Sequence, residues 1–182
     1  MDISYLREAL RYNPQNGVFV WKNRPRHHFN SDRAWWQWNG RYAGSLAGTT
    51  YKPNKKFDYL RVKIAINNKM HFAHQLAWQM SFGEIPNGLF VDHVDGDATN
   101  NAITNLRLVT HAENHRNRGV PINNTSGEVG IRRCGKKWQA RIKVNQKEIS
   151  LGTYQTFEEA VAARRSAAEK HGFTNRHFAN RA

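Results

Sequence analysis

Nine consecutive residues from Gly119 to Gly127, GVPINNTSG, carry no charge and hold Pro, Asn, Ser and Gly, the residue types of linkers and turns. A break at this place in a chain of 182 residues leaves two pieces, and each must bury a modest core of its own. The hydrophobic pattern differs on the two sides of it, so the expectation is an α+β protein with residues 1–118 as one domain. Residues 119–127 then form a linker, residues 128–172 a three-stranded antiparallel sheet packed on one helix, and residues 173–182 a basic tail.

The first piece opens with Ile3, Leu6 and Leu10 at helical spacing, which predicts a short helix over 3–11, stopped by Asn13-Pro14-Gln15-Asn16-Gly17. Val18 to Trp21 reads as a strand. Residues 22–58, rich in Asn, Gly, Arg and Trp without clear period, read as long loops plus a short strand. Strict alternation over 59–66 predicts a strand, with a turn at Asn67-Asn68-Lys69 and a second strand leading into a helix over 73–82 that Gly83 ends. Within this stretch Trp35, Trp36 and Trp38 stand among Arg33, Asn39 and Arg41. Packing is the plainer use for them, and stacking on a nucleic acid the alternative.

Residues 89–118 read as strand, loop, strand, helix. Leu89 to His93 is a short apolar strand ending in two polar residues, Leu106 to Val109 returns as its partner, and a Gly-Asp-Asn-Asn loop joins them. Thr110 and Glu113 have the spacing of a capping box, so a helix should begin at His111 and run to Arg118. In the C-terminal piece Val129 and Ile131 alternate with polar residues. Trp138, Ala140, Ile142 and Val144 alternate with Lys137, Gln139, Arg141 and Lys143, and Ile149 and Leu151 follow an Asn145-Gln146 turn. Thr156 and Glu159 form a second capping box, opening a helix to about His171 whose Ala160, Ala163, Ala167 and Ala168 suit close packing.

Lys and Arg outnumber Asp and Glu 28 to 14, so a polyanionic partner is expected, and double-stranded DNA heads the candidates. A membrane surface is disfavoured because no long apolar run, basic amphipathic helix or signal-like N-terminus stands in the sequence; a cytoplasmic protein is expected, as monomer or dimer, with no required protein partner evident. Cys134 is the single cysteine, which excludes an internal disulfide and any multi-cysteine zinc site. Chemistry must therefore run on His, Asp and Asn. Asp92 and His93 are adjacent at a strand end, Asn105 follows His93 by twelve residues, and Asn114 falls in the first turn of the next helix. A carboxylate and an amide oxygen suit a hard divalent cation, and an imidazole with an ordinary pKa of about 6.5 suits proton abstraction near neutral pH.

Asp92-His93-Val94-Asp95-Gly96-Asp97, Asn100-Asn101, Asn105-Leu106-Arg107, Thr110 and Glu113-Asn114, a motif of 23 residues, resemble the phage-type HNH homing and nicking endonucleases. Gly17 to Trp21, His74 to Trp78 and Gly83 to Pro86 are similar to the N-terminal part of such proteins. The resemblance implies a ββα-metal nuclease core, with Asp92 and Asn114 binding one divalent cation. Mg²⁺ is the first choice, Mn²⁺ the alternative, and Zn²⁺ ranks below. His93 would be the general base, Asn105 would orient its ring, and cleavage would leave a 5′-phosphate and a 3′-hydroxyl. His111 and His115, spaced as a zinc pair, stay open between metal ligation, phosphate contact and solvent exposure, whereas His71 and His74, which precede or enter an apolar helix, read as packing and hydrogen-bonding residues.

Gly130-Ile131-Arg132, Lys137 to Ile142, Leu151 to Tyr154 and the Ala-rich helix resemble the plant Apetala and ethylene-response-factor DNA-binding domain, over about residues 127–172. That likeness implies a sheet laid in the major groove, with Arg132, Arg133, Lys137, Gln139, Arg141 and Lys143 facing DNA. The segment between Arg133 and Lys137 is shorter than in the plant domain, and Arg141 stands where an acidic residue is common there, so no base code transfers. The competing reading is a non-catalytic DNA-binding regulator on a dead HNH scaffold, against which the intact Asp92, His93, Asn105 and Asn114 argue. A structure-specific or RNA-directed nuclease is disfavoured by the sheet-type reader.

Overall fold

The computed structural model describes residues 2–53, 59–116, 124–144 and 147–173. Residues 117 and 118 of the first capped helix, residues 119–123 of the linker, the Asn145-Gln146 turn and residues 174–182 of the basic tail lie outside the described residues. The chain divides into two compact units, Met1–Val109 and Thr110–Ala182. The division thus falls ahead of the helix at His111, where the sequence placed it after residue 118.

In the first unit the order is α1 (Ile3–Ala9), β1 (Leu10–Tyr12), β2 (Phe19–Trp21), α2 (Asp32–Tyr42), β3 (Thr49–Tyr51), β4 (Arg61–Ile66), β5 (Lys69–Phe72), α3 (Ala73–Phe82), β6 (Leu89–His93) and β7 (Leu106–Thr110). The helix expected to reach Arg11 stops at Ala9 because the next three residues pair with β2, Leu10 opposite Trp21 and Tyr12 opposite Phe19. Strand pairing and the burial of Leu10 outweigh one further helical turn. Asn67 and Asn68, at φ 49 and 60, make the tight turn between β4 and β5 that Asn tolerates best after Gly. Strands β3, β4 and β5 form one sheet, β6 and β7 another.

The helix α2 corrects the expectation of loops over 22–58. Ser31 caps it by accepting a hydrogen bond from Ala34 N at 3.2 Å, and Asp32 sits in its first turn. Tertiary contacts hold it there. Trp38 meets Trp21 edge to face at 5.0 Å, the Trp35 indole donates to the Arg24 carbonyl at 2.8 Å, and Asn39 exchanges two hydrogen bonds with the Arg24 backbone. Two of the three tryptophans are thereby packed, while Trp36 is 74% exposed.

Leu6, Leu10, Phe19, Trp21, Ile64, Ile66, Leu76, Val91 and Leu106 share one core. Val91 of β6 and Leu106 of β7 are buried in that core, with Leu108 packed against it, which pins the polar residues beside them.

The second unit contains α4 (His111–Arg116), β8 (Ile131–Cys134), β9 (Lys137–Val144), β10 (Lys147–Tyr154) and α5 (Phe157–Lys170). Both expected capping boxes form, Thr110 with Glu113 and Thr156 with Glu159. The sheet runs β10, β9, β8, antiparallel throughout, and α5 packs on it. Ile131, Ala140 and Ala160 are its buried centre, with Trp138, Leu151, Tyr154, Phe157 and Val161 against them. Alanine at 160 and 168 brings the helix backbone close to the sheet, as the sequence implied.

Candidate active site

Both β6 and β7 end at polar residues, and the loop between them is braced from within. Asp95 Oδ1 accepts from Asp97 N at 2.8 Å and from Asn105 Nδ2 at 2.9 Å, and its Oδ2 accepts from Asn100 Nδ2 at 2.8 Å. Asp97 accepts twice from Thr99, through the backbone amide and the hydroxyl. Burial pushes the Asp95 carboxyl up, yet these hydrogen bonds outweigh it and the net shift is downward, so the brace holds as a carboxylate at neutral pH.

The first unit brings Asp92, His93 and Asn105 to this braced turn, while Asn114 is carried by α4 of the second unit. His93 is buried. Val94 N, next along the chain, donates to the Asn105 carbonyl at 2.8 Å. The Asn105 carboxamide accepts from Asp95 N at 3.0 Å and spends both its hydrogens on Asp95 Oδ1 and the Asn100 carbonyl. Asn105 thus braces the loop that follows His93, and the side chain on His93 Nε2 is that of Asn101, at 3.2 Å.

Asp92 is mostly buried, and Arg107, across on β7, donates to its Oδ2 from Nη2 at 3.0 Å and from Nε at 3.2 Å. The Asp92 carboxylate offers oxygen atoms only, donors that fit a hard cation such as Mg²⁺ or Mn²⁺ better than Zn²⁺. Among the described residues, Glu8, His27 and His28 have their ligand atoms close together. There Arg24 Nε donates to His28 Nδ1 at 3.3 Å, which puts the proton of the neutral ring on Nε2 facing Glu8 Oε2 at 2.8 Å. This is the pattern of a hydrogen-bonded triad and not of a metal cage.

His74, on α3, meets the His93 ring edge-on at 5.0 Å and stacks on Phe72 at 5.6 Å. Burial first, then the positive potential of His93 and Arg61, pushes its imidazole from 6.5 down to about 3. It stays neutral in the fold while the unfolded chain takes up a proton below pH 6.5. Stability is therefore fully present above that value and falls as the pH drops from about 6.5 towards 3. Between pH 7 and pH 5 this single residue should remove about 2 kcal/mol of unfolding free energy. Urea denaturation at the two pH values tests it: His74→Leu should flatten that part of the dependence, and equal slopes for both proteins would refute the assignment.

On the second unit, strand register puts Arg132 opposite Gln139 and Arg141 opposite Ser150, on the face away from Trp138, Ala140 and Ile142. Lys137 and Lys143 alternate onto the same face and are exposed. Arg132 Nε donates to Gln139 at 2.7 Å and Arg141 to Glu148 at 3.0 Å, so both guanidinium groups are held across the sheet. Arg133, expected with them, pairs in register with Trp138 and lies over its ring at 5.8 Å, on the helix side.

Residues 71–116 match a family model described as HNH endonuclease. The chain therefore carries an HNH endonuclease domain, within which Asp92, His93, Asn105 and Asn114 all fall, and such a domain implies DNA as substrate. Over 101 residues, 54% of this chain and 84% of the relative, it is 32% identical to Protein 3.8 of Escherichia phage T7, and it belongs to the same family as that phage protein. It is also 41% identical over 44 residues to a prophage-derived relative in Bacillus subtilis, YosQ, named as an HNH homing endonuclease; the match covers 24% of this chain and 25% of that protein. No solved structure matches the chain. Among the described residues no helix is long and apolar enough to cross a membrane.

Three residues around the site escaped the sequence reading. Arg107 and Asn101 stood inside the motif, but nothing in spacing says which polar side chain a histidine or aspartate will meet. His74 lay outside it, at the start of an apolar helix, where packing was the simpler account.

Proposed function

We propose that the chain is a metal-dependent DNA endonuclease, strand-nicking or homing-like, that hydrolyses phosphodiester bonds to 5′-phosphate and 3′-hydroxyl ends and is brought to DNA by its C-terminal sheet. The observation that carries this reading is the adjacency of an Arg-held carboxylate, Asp92, and a buried imidazole, His93, at the end of one strand inside the HNH match. Asp92 and Asn114 would hold the cation. When bound, it would supply charge neutralisation at the phosphate and at the departing oxygen.

The protein's own groups do the rest. His93, neutral, takes a proton from water as the water oxygen bonds to phosphorus, and the bond from phosphorus to the 3′-oxygen breaks. The 3′-oxygen leaves as the hydroxyl once protonated from solvent. Asn105 and Asp95 keep the loop from collapsing into the space that the phosphate needs. Arg107 orients the Asp92 carboxylate and balances its charge before a cation arrives.

Incubation with supercoiled plasmid tests the proposal. Relaxation should appear with Mg²⁺ or Mn²⁺ and stop with excess chelator. Tight binding without cutting under any divalent metal would leave a DNA-binding regulator instead.

The sheet of the second unit, through Arg132, Lys137, Gln139, Arg141 and Lys143, is proposed to meet the major groove, with the arginines reading bases and the lysines neutralising phosphates. In the full chain, Lys137→Gln with Lys143→Gln should reduce the slope of log affinity against log salt by about two, since each phosphate contact contributes about 0.9. An unchanged slope would move the interface elsewhere.

A further inference from the structure

A general base must present the lone pair of one defined ring nitrogen, and an imidazole has two. In His93 the choice is made by a residue to which the preceding reading gives no role. His93 Nε2 lies 3.2 Å from Asn101 Oδ1. The carboxamide of Asn101 is oriented independently of the histidine, because its Nδ2 donates to the Thr99 carbonyl at 3.0 Å, a group that can only accept. Oxygen, and not the amide nitrogen, therefore faces the imidazole. An amide oxygen cannot donate, so the partner nitrogen must.

We propose that Asn101 is a positioning residue that locks neutral His93 in the Nε2–H tautomer and so assigns proton abstraction to Nδ1. The proposal rests on the reading of His93 as general base, and it deepens that reading by naming the atom.

The lock is built into the fold. Asn101 is 1% exposed. Its backbone carbonyl accepts the Tyr12 hydroxyl at 2.8 Å. Burial pushes that hydroxyl up to about 12, so it remains a donor across the working range. The backbone at Gly17 lies against Asn101 so closely that a Cβ there would sit 2.3 Å from the Asn101 carbonyl carbon. Ile103 N donates to the Pro14 carbonyl at 2.9 Å, a second tie between the same two loops. The β1–β2 turn thus serves as a clamp on the residue that faces the base. His74 closes another side of the ring edge-on, and its basicity, lowered first by burial, keeps it from competing for the abstracted proton.

Long-range ¹⁵N–¹H correlation of the imidazoles in the full-length protein, without DNA or metal and at alkaline pH where the rings are neutral, reads the tautomer directly. Wild type should show His93 as a single Nε2–H form with a slowly exchanging ring N–H. Asn101→Ala should lose the slow exchange and mix tautomers, and Asn101→Asp, which keeps an acceptor in place, should restore them. In plasmid nicking, Asn101→Ala should lower kcat by roughly tenfold to a hundredfold with KM little changed, and Asn101→Asp should recover most of it.

An Nδ1–H form in wild type overturns the proposal without any variant, so poor folding of Asn101→Ala would not shield it. A folded Asn101→Ala with the wild-type ring spectrum overturns it as well. Because the spectrum requires no catalysis, an expected tautomer in a protein that never cuts would refute the nuclease reading alone. A wrong tautomer in a protein that cuts would refute this inference alone.

Discussion

His93→Ala should bind DNA as wild type does and nick supercoiled plasmid roughly 10² to 10⁴ times more slowly under the same divalent metal. The loss corresponds to about 3 to 5 kcal/mol of barrier, the range expected when a positioned base is removed and bulk water must take the proton. The substitution truncates a buried ring, so a cavity beside His74 is its structural side effect; core truncations of this size cost about 2 to 4 kcal/mol in stability. His93→Gln, which keeps more of the volume, separates the two effects. Both variants should lose the rate while only the alanine form loses much stability. Wild-type nicking by a folded His93→Ala would end the assignment of the base.

Gly17→Ala should lower stability by about 3 kcal/mol or more, a drop in Tm of about 10 °C. Two terms add. Gly17 adopts φ +72, where an L residue with a Cβ is strained by about 1 to 2 kcal/mol. The added carbon would also stand 2.3 Å from the carbonyl carbon of Asn101 and 2.5 Å from Ala102 N, both backbone atoms that cannot rotate aside. The turn must lift off the loop, at the expense of the Tyr12 and Pro14 hydrogen bonds. Nicking should fall with it even at temperatures where the protein stays folded, because the clamp on Asn101 is released. Gly44→Ala is the control. Its φ of +82 is similar, but its Cβ would meet open space, so a smaller loss of about 1 to 2 kcal/mol is expected. A Tm for Gly17→Ala equal to that of Gly44→Ala would show that the close approach is of no consequence.

The pattern of hydrophobic residues was a good guide wherever a helix or strand made its own case. The α3 helix ends at Phe82 because Gly83 follows, at a positive φ. Strand β9 spans Lys137–Val144 because alternation there is unbroken. The α2 helix was missed because its sequence, Asp-Arg-Ala-Trp-Trp-Gln-Trp-Asn-Gly-Arg-Tyr, has no buried stripe. Its stability comes from Trp38 on Trp21 and Asn39 on Arg24, contacts that no local rule foresees. Arg133 was misplaced for a related reason. Adjacent residues on a strand face opposite sides, so Arg132 and Arg133 cannot share a face, whatever their common charge suggests.

Composition and order along the chain were enough to determine a basic two-part protein, the two capping boxes and the candidate set Asp92, His93, Asn105 and Asn114, since charge, helix starts and motif spacing are properties of neighbours in sequence. Only the tertiary structure decided that Asn105 spends its amide on Asp95, that Asn101 meets His93, that Arg107 holds Asp92 and that His74 stands beside the base. Hydrogen bonds and ring contacts act over a few ångströms, and which groups come that close is set by the burial of Val91 and Leu106 in a common core with residues from the far end of the unit.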